Sequence, residues 1–433
     1  MPSITVRKPA GRIAALLTLP RSKSVAARAA IISSMALPAG PRRVDEPFEV
    51  ELTHYPDAED SVILRRLLNE RPEVMHCGMG GTTLRFLLAW AAIREGEEHL
   101  LTGEPRLLER PHMQLVEALR SLGADIEVRA DGYRVRGKKL EGGVVRFDSP
   151  VSSQYVSAVM MIGPMLPNGL ELYWVGKRLS EPYVMMTATL MAHYEGHWSI
   201  GPDPSSPMRI EGAGYTLVPF DVPTDWSAAA FMYQMAAMSR GARIVLGDLS
   251  FHSHQGDEAV AHHLQPWVET EEWHDVDLPD TINGFTILHR ALRKLAKEEK
   301  PVDLAYGPDL FPALAITHAA LGNTMRFSGT DNLHVKESDR LAGVGDALRQ
   351  LGIPFEVGQG YFVVRSTMEH VTALRDKSFT FDPRGDHRMA MALAPLALVC
   401  ESVTILDPDV VNKSYPGFWE EMEKAGFRME RGE

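Results

Sequence analysis

The chain holds only two cysteines, Cys77 and Cys400, among its 433 residues. So few supply neither a disulfide framework nor a four-cysteine zinc site, and they suit a reducing compartment. Long apolar runs are also missing. The longest, Met389 to Cys400, carries Pro395 and falls short of the roughly 18 residues that a membrane span needs. Met1 to Ala10 lacks an apolar core, so no secretory signal is visible and a soluble cytoplasmic protein is expected. Positive charge is in deficit: 45 Lys and Arg stand against 57 Asp and Glu, a formal net charge of −12. That balance argues against nucleic acid as a partner, and any anion site must be a local concentration of Lys and Arg. The histidines His252, His254, His262 and His263 lack carboxylate or cysteine companions at metal-ligand spacing, so no metal is expected.

What is present begins with Leu19-Pro20-Arg21-Ser22-Lys23-Ser24-Val25-Ala26-Ala27-Arg28. Pro20 fixes φ and makes the first half a loop. From Val25 the Ala- and Ile-rich text reads as a helix, with Ser22 or Ser24 placed to cap it. Its free N–H groups, the positive end of the helix dipole and Lys23 would together attract a phosphate or a carboxylate. Arg28 lies one turn beyond Ser24 on the same face.

Similar starts recur at Gly81, Ser152, Asp225, Asp309 and Asp386. Each pairs a polar cluster with about ten residues of Ala, Met, Leu and Ile that carry almost no charge, the pattern of a helix buried on all sides. Six such helices would concentrate positive potential wherever their starts converge. Between them the text reads as strands and outer amphipathic helices. Met113 to Leu122 followed by Ile126 to Arg129 gives the cadence of helix, glycine turn and strand. Arg340 to Leu351 followed by Ile353 to Val357 repeats it, and Leu190 to Gly196 repeats it in degraded form. Three such units per half give two similar α/β domains, with a boundary near Val222-Pro223-Thr224. The stretch from Ala259 to Lys300 fits poorly; it reads as an elaborated unit with an acidic cluster and a basic helix from Leu288 to Lys300.

Several groups have the chemistry of an anion site. Gly78-Met79-Gly80-Gly81-Thr82 would let a backbone approach a phosphate, although a turn needing positive φ explains the glycines equally well. Arg85, one turn past Gly81, faces either an anion or a buried carboxylate. Glu109-Arg110-Pro111 enters a helix, and Ser152-Ser153-Gln154 offers hydroxyls and an amide. Ser180-Glu181-Pro182-Tyr183 adds a phenol. The densest group is Asn332-Leu333-His334-Val335-Lys336-Glu337-Ser338-Asp339-Arg340, read as a strand that delivers Lys336, Glu337 and Arg340 to a helix start. A Glu between Lys and Arg is how a general acid or base is tuned. Asp386-His387-Arg388 and Asn412-Lys413-Ser414 complete the set.

These motifs, in this order and over nearly the whole chain, resemble the 5-enolpyruvylshikimate-3-phosphate synthases of the enolpyruvyl transferase family. The resemblance rests on Leu19-Pro-Arg-Ser-Lys-Ser with Arg28, Leu101-Thr-Gly-Glu-Pro-Arg with Glu109-Arg-Pro, Ser152-Ser-Gln, Ser180-Glu-Pro-Tyr, Val335-Lys-Glu-Ser-Asp-Arg-Leu, Asp386-His-Arg-Met-Ala-Met and Asn412-Lys-Ser-Tyr-Pro. It implies an α/β fold of two similar domains, each built of three βαβαββ units around buried parallel helices, an inside-out α/β barrel. Residues 21–222 would form one domain; 1–20 and 223–433 would form the other.

The resemblance further implies transfer of enolpyruvyl from phosphoenolpyruvate to the 5-hydroxyl of shikimate 3-phosphate in chorismate and aromatic amino acid biosynthesis. Asp309 matches the carboxylate that takes the hydroxyl proton, and Glu337 the group that protonates the methylene carbon and later removes a proton, assisted by Lys336; Lys23 is counted with them among the catalytic residues. Lys23, Ser24, Arg28, Ser152, Ser153, Gln154, Ser180, Tyr183, Asp309, Asn332 and Lys336 match positions around shikimate 3-phosphate. Lys23, Gly81, Arg110, Gln154, Arg340, Arg388 and Lys413 match positions around phosphoenolpyruvate, where the family also takes glyphosate. No cofactor, metal, nucleic acid or membrane is implied, and a monomer is expected.

The chain departs from the family pattern at Met79, Gly80, Phe86, His334, Trp226 and Phe311-Pro312. The alternatives are the sister transferase acting on UDP-N-acetylglucosamine, which carries a loop cysteine, and a non-catalytic anion-binding relative. Neither Cys77 nor Cys400 suits the first, and the presence of Lys23, Asp309 and Glu337 counts against the second.

Overall fold

The six apolar runs all form helices, and their composition explains why. Ala, Leu and Met lose little rotamer freedom in a helix, and without charges beyond the first turn these segments are more stable out of water. The computed structural model describes residues 2–38, 52–203, 205–251, 253, 255–274, 283–290 and 301–432. Its chain makes two compact units, one of residues Arg21–Val222 and one of Met1–Pro20 with Pro223–Glu433. Each has its own hydrophobic core.

In the unit of residues 21–222 the buried helices are Lys23–Ser33, Gly81–Ala92 and Ser153–Ile162. Glu181–His193 packs with them. The expectation of a separate outer helix at Leu190 to Gly196 is corrected here: Leu190 belongs to the last turn of that helix. Tyr183, Val184, Met186, Thr187, Leu190 and Met191 are buried, so the segment is a core helix and not an amphipathic cover. Met113–Ser121 is amphipathic as its spacing predicts. Gly123 then turns with φ +97°, in the left-handed region that glycine favours, into strand Asp125–Arg129.

The unit of residues 1–20 and 223–433 is built around Trp226–Met238, Phe311–Ala320 and His387–Leu393, in which every side chain is buried. A fully buried large apolar side chain contributes about 1.5–3 kcal/mol of burial free energy, so these helices hold the core together. The apolar run that ends at Cys400 is not one helix. It passes into a 3-10 turn at Ala394–Leu398, where Pro395 cannot donate the next helical hydrogen bond.

The sheets repeat one plan. Strand Val74–His76 runs parallel to Glu98–Thr102, which pairs antiparallel with Gly132–Arg136 and that with Asp125–Arg129. Gly143–Asp148, Leu170–Val175, Met208–Ile210 and Trp198–Ile200 follow the same order of one parallel and two antiparallel pairs. So do three sheets of the second unit. The stretch after Ala259 obeys this plan too: Val268–His274 and Asn283–His289 form a hairpin pair. Leu288 and His289 are therefore strand residues and Arg290 follows the strand without helical structure; residues 291–300 of the expected basic helix lie outside the described residues. Among the described residues no helix is long and apolar enough to cross a membrane.

Candidate active site

In the unit of residues 21–222, Ser22 is the cap of the first buried helix, its Oγ accepting from the Val25 N–H at 3.4 Å. Lys23 beside it pairs with Asp60 at 3.0 Å. Arg28 is 2% exposed. Its Nε donates to Thr187 Oγ1 at 2.7 Å, Nη1 to the Ser24 carbonyl at 2.8 Å and Nη2 to Ser157 Oγ at 3.4 Å. The rings of Phe86 and Tyr183 lie 5.2 and 5.9 Å away. All these acceptors are neutral, and among the described residues no ion pair is found for Arg28. Burial lowers its pKa to about 10, with Tyr183 acting in the opposite sense. Taking a cation out of water without a carboxylate in contact is costly, and an anion brought beside it would offset that cost.

Gly81 opens the second buried helix directly under Arg110, whose Nη1 lies 2.5 Å from where a Cβ on Gly81 would sit. Nε and Nη1 of Arg110 are buried with no hydrogen-bond partner among the described residues. Arg85 meets an amide, a carbonyl and an imidazole. Nη1 donates to Gln154 Oε1 at 2.6 Å, Nη2 to the Pro111 carbonyl at 3.2 Å and Nε to His112 Nδ1 at 3.3 Å. Gln154 in turn donates to Thr82 Oγ1 at 2.9 Å. This chain ties the starts of the second and third buried helices side by side. Ser152 caps the third through the Gln154 N–H at 3.3 Å, and Ser153 is buried in its first turn. Ser180, with φ 58°, turns the chain into the Glu181–His193 helix, which carries buried Tyr183 and Thr187.

A second cluster forms in the other unit. Asn332 to Val335 do not make a strand; Leu333–Val335 is one 3-10 turn with Leu333 fully buried. A strand would send Lys336 and Glu337 to opposite faces. The turn instead lets Lys336 reach Asp309 at 3.3 Å while Glu337 meets Arg340 at 3.0 Å. Arg340, 1% exposed, also pairs closely with Asp309 and with Asp386 at 2.9 Å. Arg388 pairs with Asp309 at 3.1 Å, and Lys413 Nζ, buried without a hydrogen-bond partner among the described residues, is 3.9 Å from Glu337. The Asn332 amide oxygen is buried and likewise lacks a hydrogen-bond partner among the described residues. Asp309 itself sits in a 3-10 turn, Pro308–Leu310, that leads into the buried helix.

Electrostatics follow from this packing. Burial works to raise the Asp309 carboxyl, but Arg388, Lys336 and Arg340 outweigh it and hold it well below the usual range. Burial lowers Lys336 against the pull of Asp309. Arg340 is raised despite burial, because Asp386, Asp309 and Glu337 surround it. The cluster is thus charge-dense and shielded from solvent, with four cations and four carboxylates, counting Asp257 beside Arg388. Asp257 and Asp60 escaped sequence reasoning: Gln255-Gly256-Asp257 precedes no apolar helix, and Asp60 sits in the first turn of an ordinary amphipathic one.

A sequence model of the family described as EPSP synthase (3-phosphoshikimate 1-carboxyvinyltransferase) matches residues 7–422. A 3-phosphoshikimate 1-carboxyvinyltransferase of Bacteroides fragilis is 35% identical over 428 residues, covering 98% of each chain. The chain belongs to the EPSP synthase family. A relative of the same name from Methanoculleus marisnigri is 32% identical over 437 residues, with 96% of this chain and 98% of that one covered. An EPSP synthase structure from Acinetobacter baumannii shares the fold with a TM-score of 0.74 at 19% identity, covering 100% of both chains. The enolpyruvyl transferase NikO of Streptomyces tendae does so at 0.66 and 14% identity, over 99% of each.

Departures from the EPSP synthase pattern have visible places. Phe86 is fully buried against Arg28, and Trp226 packs on Phe251 while its Nε1 donates to the Ser250 carbonyl at 3.0 Å. His334 is exposed. Cys77 and Cys400 are buried, and burial pushes both thiols up, Cys400 to about 12, so neither is a reactive loop cysteine.

Proposed function

We propose that the protein transfers the enolpyruvyl group of phosphoenolpyruvate to the 5-hydroxyl of shikimate 3-phosphate and releases phosphate. Family membership over residues 7–422 supports the reaction class. The observation that carries the residue roles is Asp309, a carboxylate kept ionised by three cations beside a second carboxylate, Glu337. In this reading Asp309 accepts the hydroxyl proton as the oxygen bonds to the central carbon of phosphoenolpyruvate. Glu337 gives a proton to the methylene carbon and takes one back as the C–O bond to phosphate breaks, with Lys336 and Lys23 offsetting charge. Arg28, Ser24, Ser152, Ser153, Gln154, Ser180, Tyr183, Asn332, Lys336 and Lys23 hold shikimate 3-phosphate. Lys23, Gly81, Arg110, Gln154, Arg340, Arg388 and Lys413 hold phosphoenolpyruvate.

Two anionic substrates held together repel, and the buried cations Arg28, Arg110, Arg340, Arg388 and Lys413 offset that repulsion. The protein acts in this reading as a cytoplasmic monomer without a cofactor, and glyphosate competes with phosphoenolpyruvate. Continuous detection of phosphate with both substrates, and with each alone, tests the reaction. Release that requires both supports it; no release with both present rejects it.

A further inference from the structure

Arg388 lies between two carboxylates, the half-buried Asp309 and the buried Asp257. Its Nη2 meets Asp309 Oδ2 at 3.1 Å, and its Nη1 faces Asp257 Oδ2 at 3.9 Å. Asp257 is 0% exposed and comes from the 3-10 turn Gly256–Ala259, an element separate from the helix that carries Arg388. One of its oxygens accepts a close hydrogen bond from Ser227 Oγ, in the first turn of the Trp226–Met238 helix. The other, Oδ1, is buried without a hydrogen-bond partner among the described residues. A Cβ on Gly307 would lie 3.3 Å from that oxygen, so the chain that leads into Asp309 passes directly over Asp257. An ionised carboxylate this deep is tolerated only with a cation close by, and Arg388 is the cation it faces.

We propose that Asp257 is a positioning residue for enolpyruvyl transfer, drawing Arg388 toward itself and so setting how tightly that arginine holds Asp309. This rests on the reading of Asp309 as the proton acceptor. A carboxylate in full contact with three cations is a weak base, because each contact favours its ionised form. Asp257 shares one of those cations. The arginine is thereby kept off a full two-point embrace of Asp309. Ser227 fixes the carboxylate so that its pull has a direction.

Phosphate-release kinetics on the full chain test this with Asp257→Asn, Arg388→Lys and the double variant, and wild-type turnover read first bears on the reaction alone. Asp257→Asn is expected to lower kcat about tenfold or more and to raise the KM for phosphoenolpyruvate, with the KM for shikimate 3-phosphate within about twofold of wild type. Added to Arg388→Lys, the same change should cost much less than it does alone, since both act through one pair. Ser227→Ala, which keeps the charge but frees it, should move kcat in the same direction by less, and serves where Asp257→Asn folds poorly. A kcat close to wild type in Asp257→Asn or losses that simply multiply in the double variant overturn the proposal; so does a Ser227→Ala enzyme that is wild type in every parameter.

Discussion

A methyl group on Gly81 would sit 2.5 Å from Nη1 and 2.8 Å from Cζ of Arg110. No carbon tolerates that approach, but the obstacle is the tip of a flexible side chain, so Gly81→Ala should fold normally and move the guanidinium. Under the proposed roles Arg110 then meets phosphoenolpyruvate and glyphosate from a displaced position. The KM for phosphoenolpyruvate should rise, and the inhibition constant for glyphosate should rise by between about 3- and 100-fold, the range in which a shift of an ångström counts. Inhibition constants at fixed phosphoenolpyruvate check this, and equal values for the two proteins reject it.

Asp309→Asn separates chemistry from binding. Turnover should fall by ~10²–10⁴, the usual range for a lost general base. Affinity for shikimate 3-phosphate should hold within about tenfold or increase, because Lys336, Arg340 and Arg388 lose an internal anion and present more charge to the ligand. Calorimetric titration and turnover on the same preparation decide it. A variant that turns over like wild type removes Asp309 from the mechanism.

Arg28 predicts a conflict between binding and stability. Its hydrogen bonds go to neutral oxygens, so burying its charge is uncompensated by a carboxylate in contact. Arg28→Met should therefore bind shikimate 3-phosphate at least tenfold more weakly while the empty protein melts no lower, or higher, than wild type. A melting midpoint several degrees below wild type would show that Arg28 is structural first.

Two buried groups set the pH dependence of stability with opposite signs. Burial raises the Asp257 carboxyl from 3.8 to about 6, with Arg388 acting against it. The folded state then binds this proton more tightly than the unfolded chain does. The contribution is fully present below about pH 4 and is lost as pH rises through about 6. His112 is the reverse case. Burial lowers it from 6.5 to about 3, Arg85 adding to the effect. Its Nδ1 accepts from Arg85 while Nε2 lies 2.9 Å from the Leu107 carbonyl, so it is neutral with the proton on Nε2. Here stability is present above about 6.5 and declines as pH falls below it. Melting curves of wild type, Asp257→Asn and His112→Gln from pH 4 to 8 should show the first variant gaining on wild type as pH rises through that window, and the second gaining as pH falls. Parallel curves would sink both assignments.

Six helices and their starts were legible in the sequence because long apolar runs behind a polar cap have few alternatives in water. The glycine turns at Gly123 and Gly352 were legible for a similar reason: both hold positive φ after an amphipathic helix. The Asn332–Arg340 segment was misread as a strand because its apolar residues alternate with charged ones. Leu333 is a plug under a tight turn, and that turn exists to satisfy Asp309 and Arg340, partners that are remote in sequence. Asp257 and Asp60 were invisible for the same reason. A carboxylate announces itself as a partner only through the cation it meets, and Arg388 and Lys23 are far along the chain.

Strand Ser3–Arg7 lies inside its sheet, between Ser402–Leu406 and Arg428–Gly432. During translation this strand is made well before the two partners it lies between, and waits for them. Residues 21–222, whose described strands pair among themselves, have no such wait and can settle while the rest is being synthesised. The early strand meanwhile offers two bare edges, so a chaperone that binds extended peptide would find its natural target in Ser3–Arg7, and a stop codon that removes Arg428–Gly432 would leave one of those edges open for good.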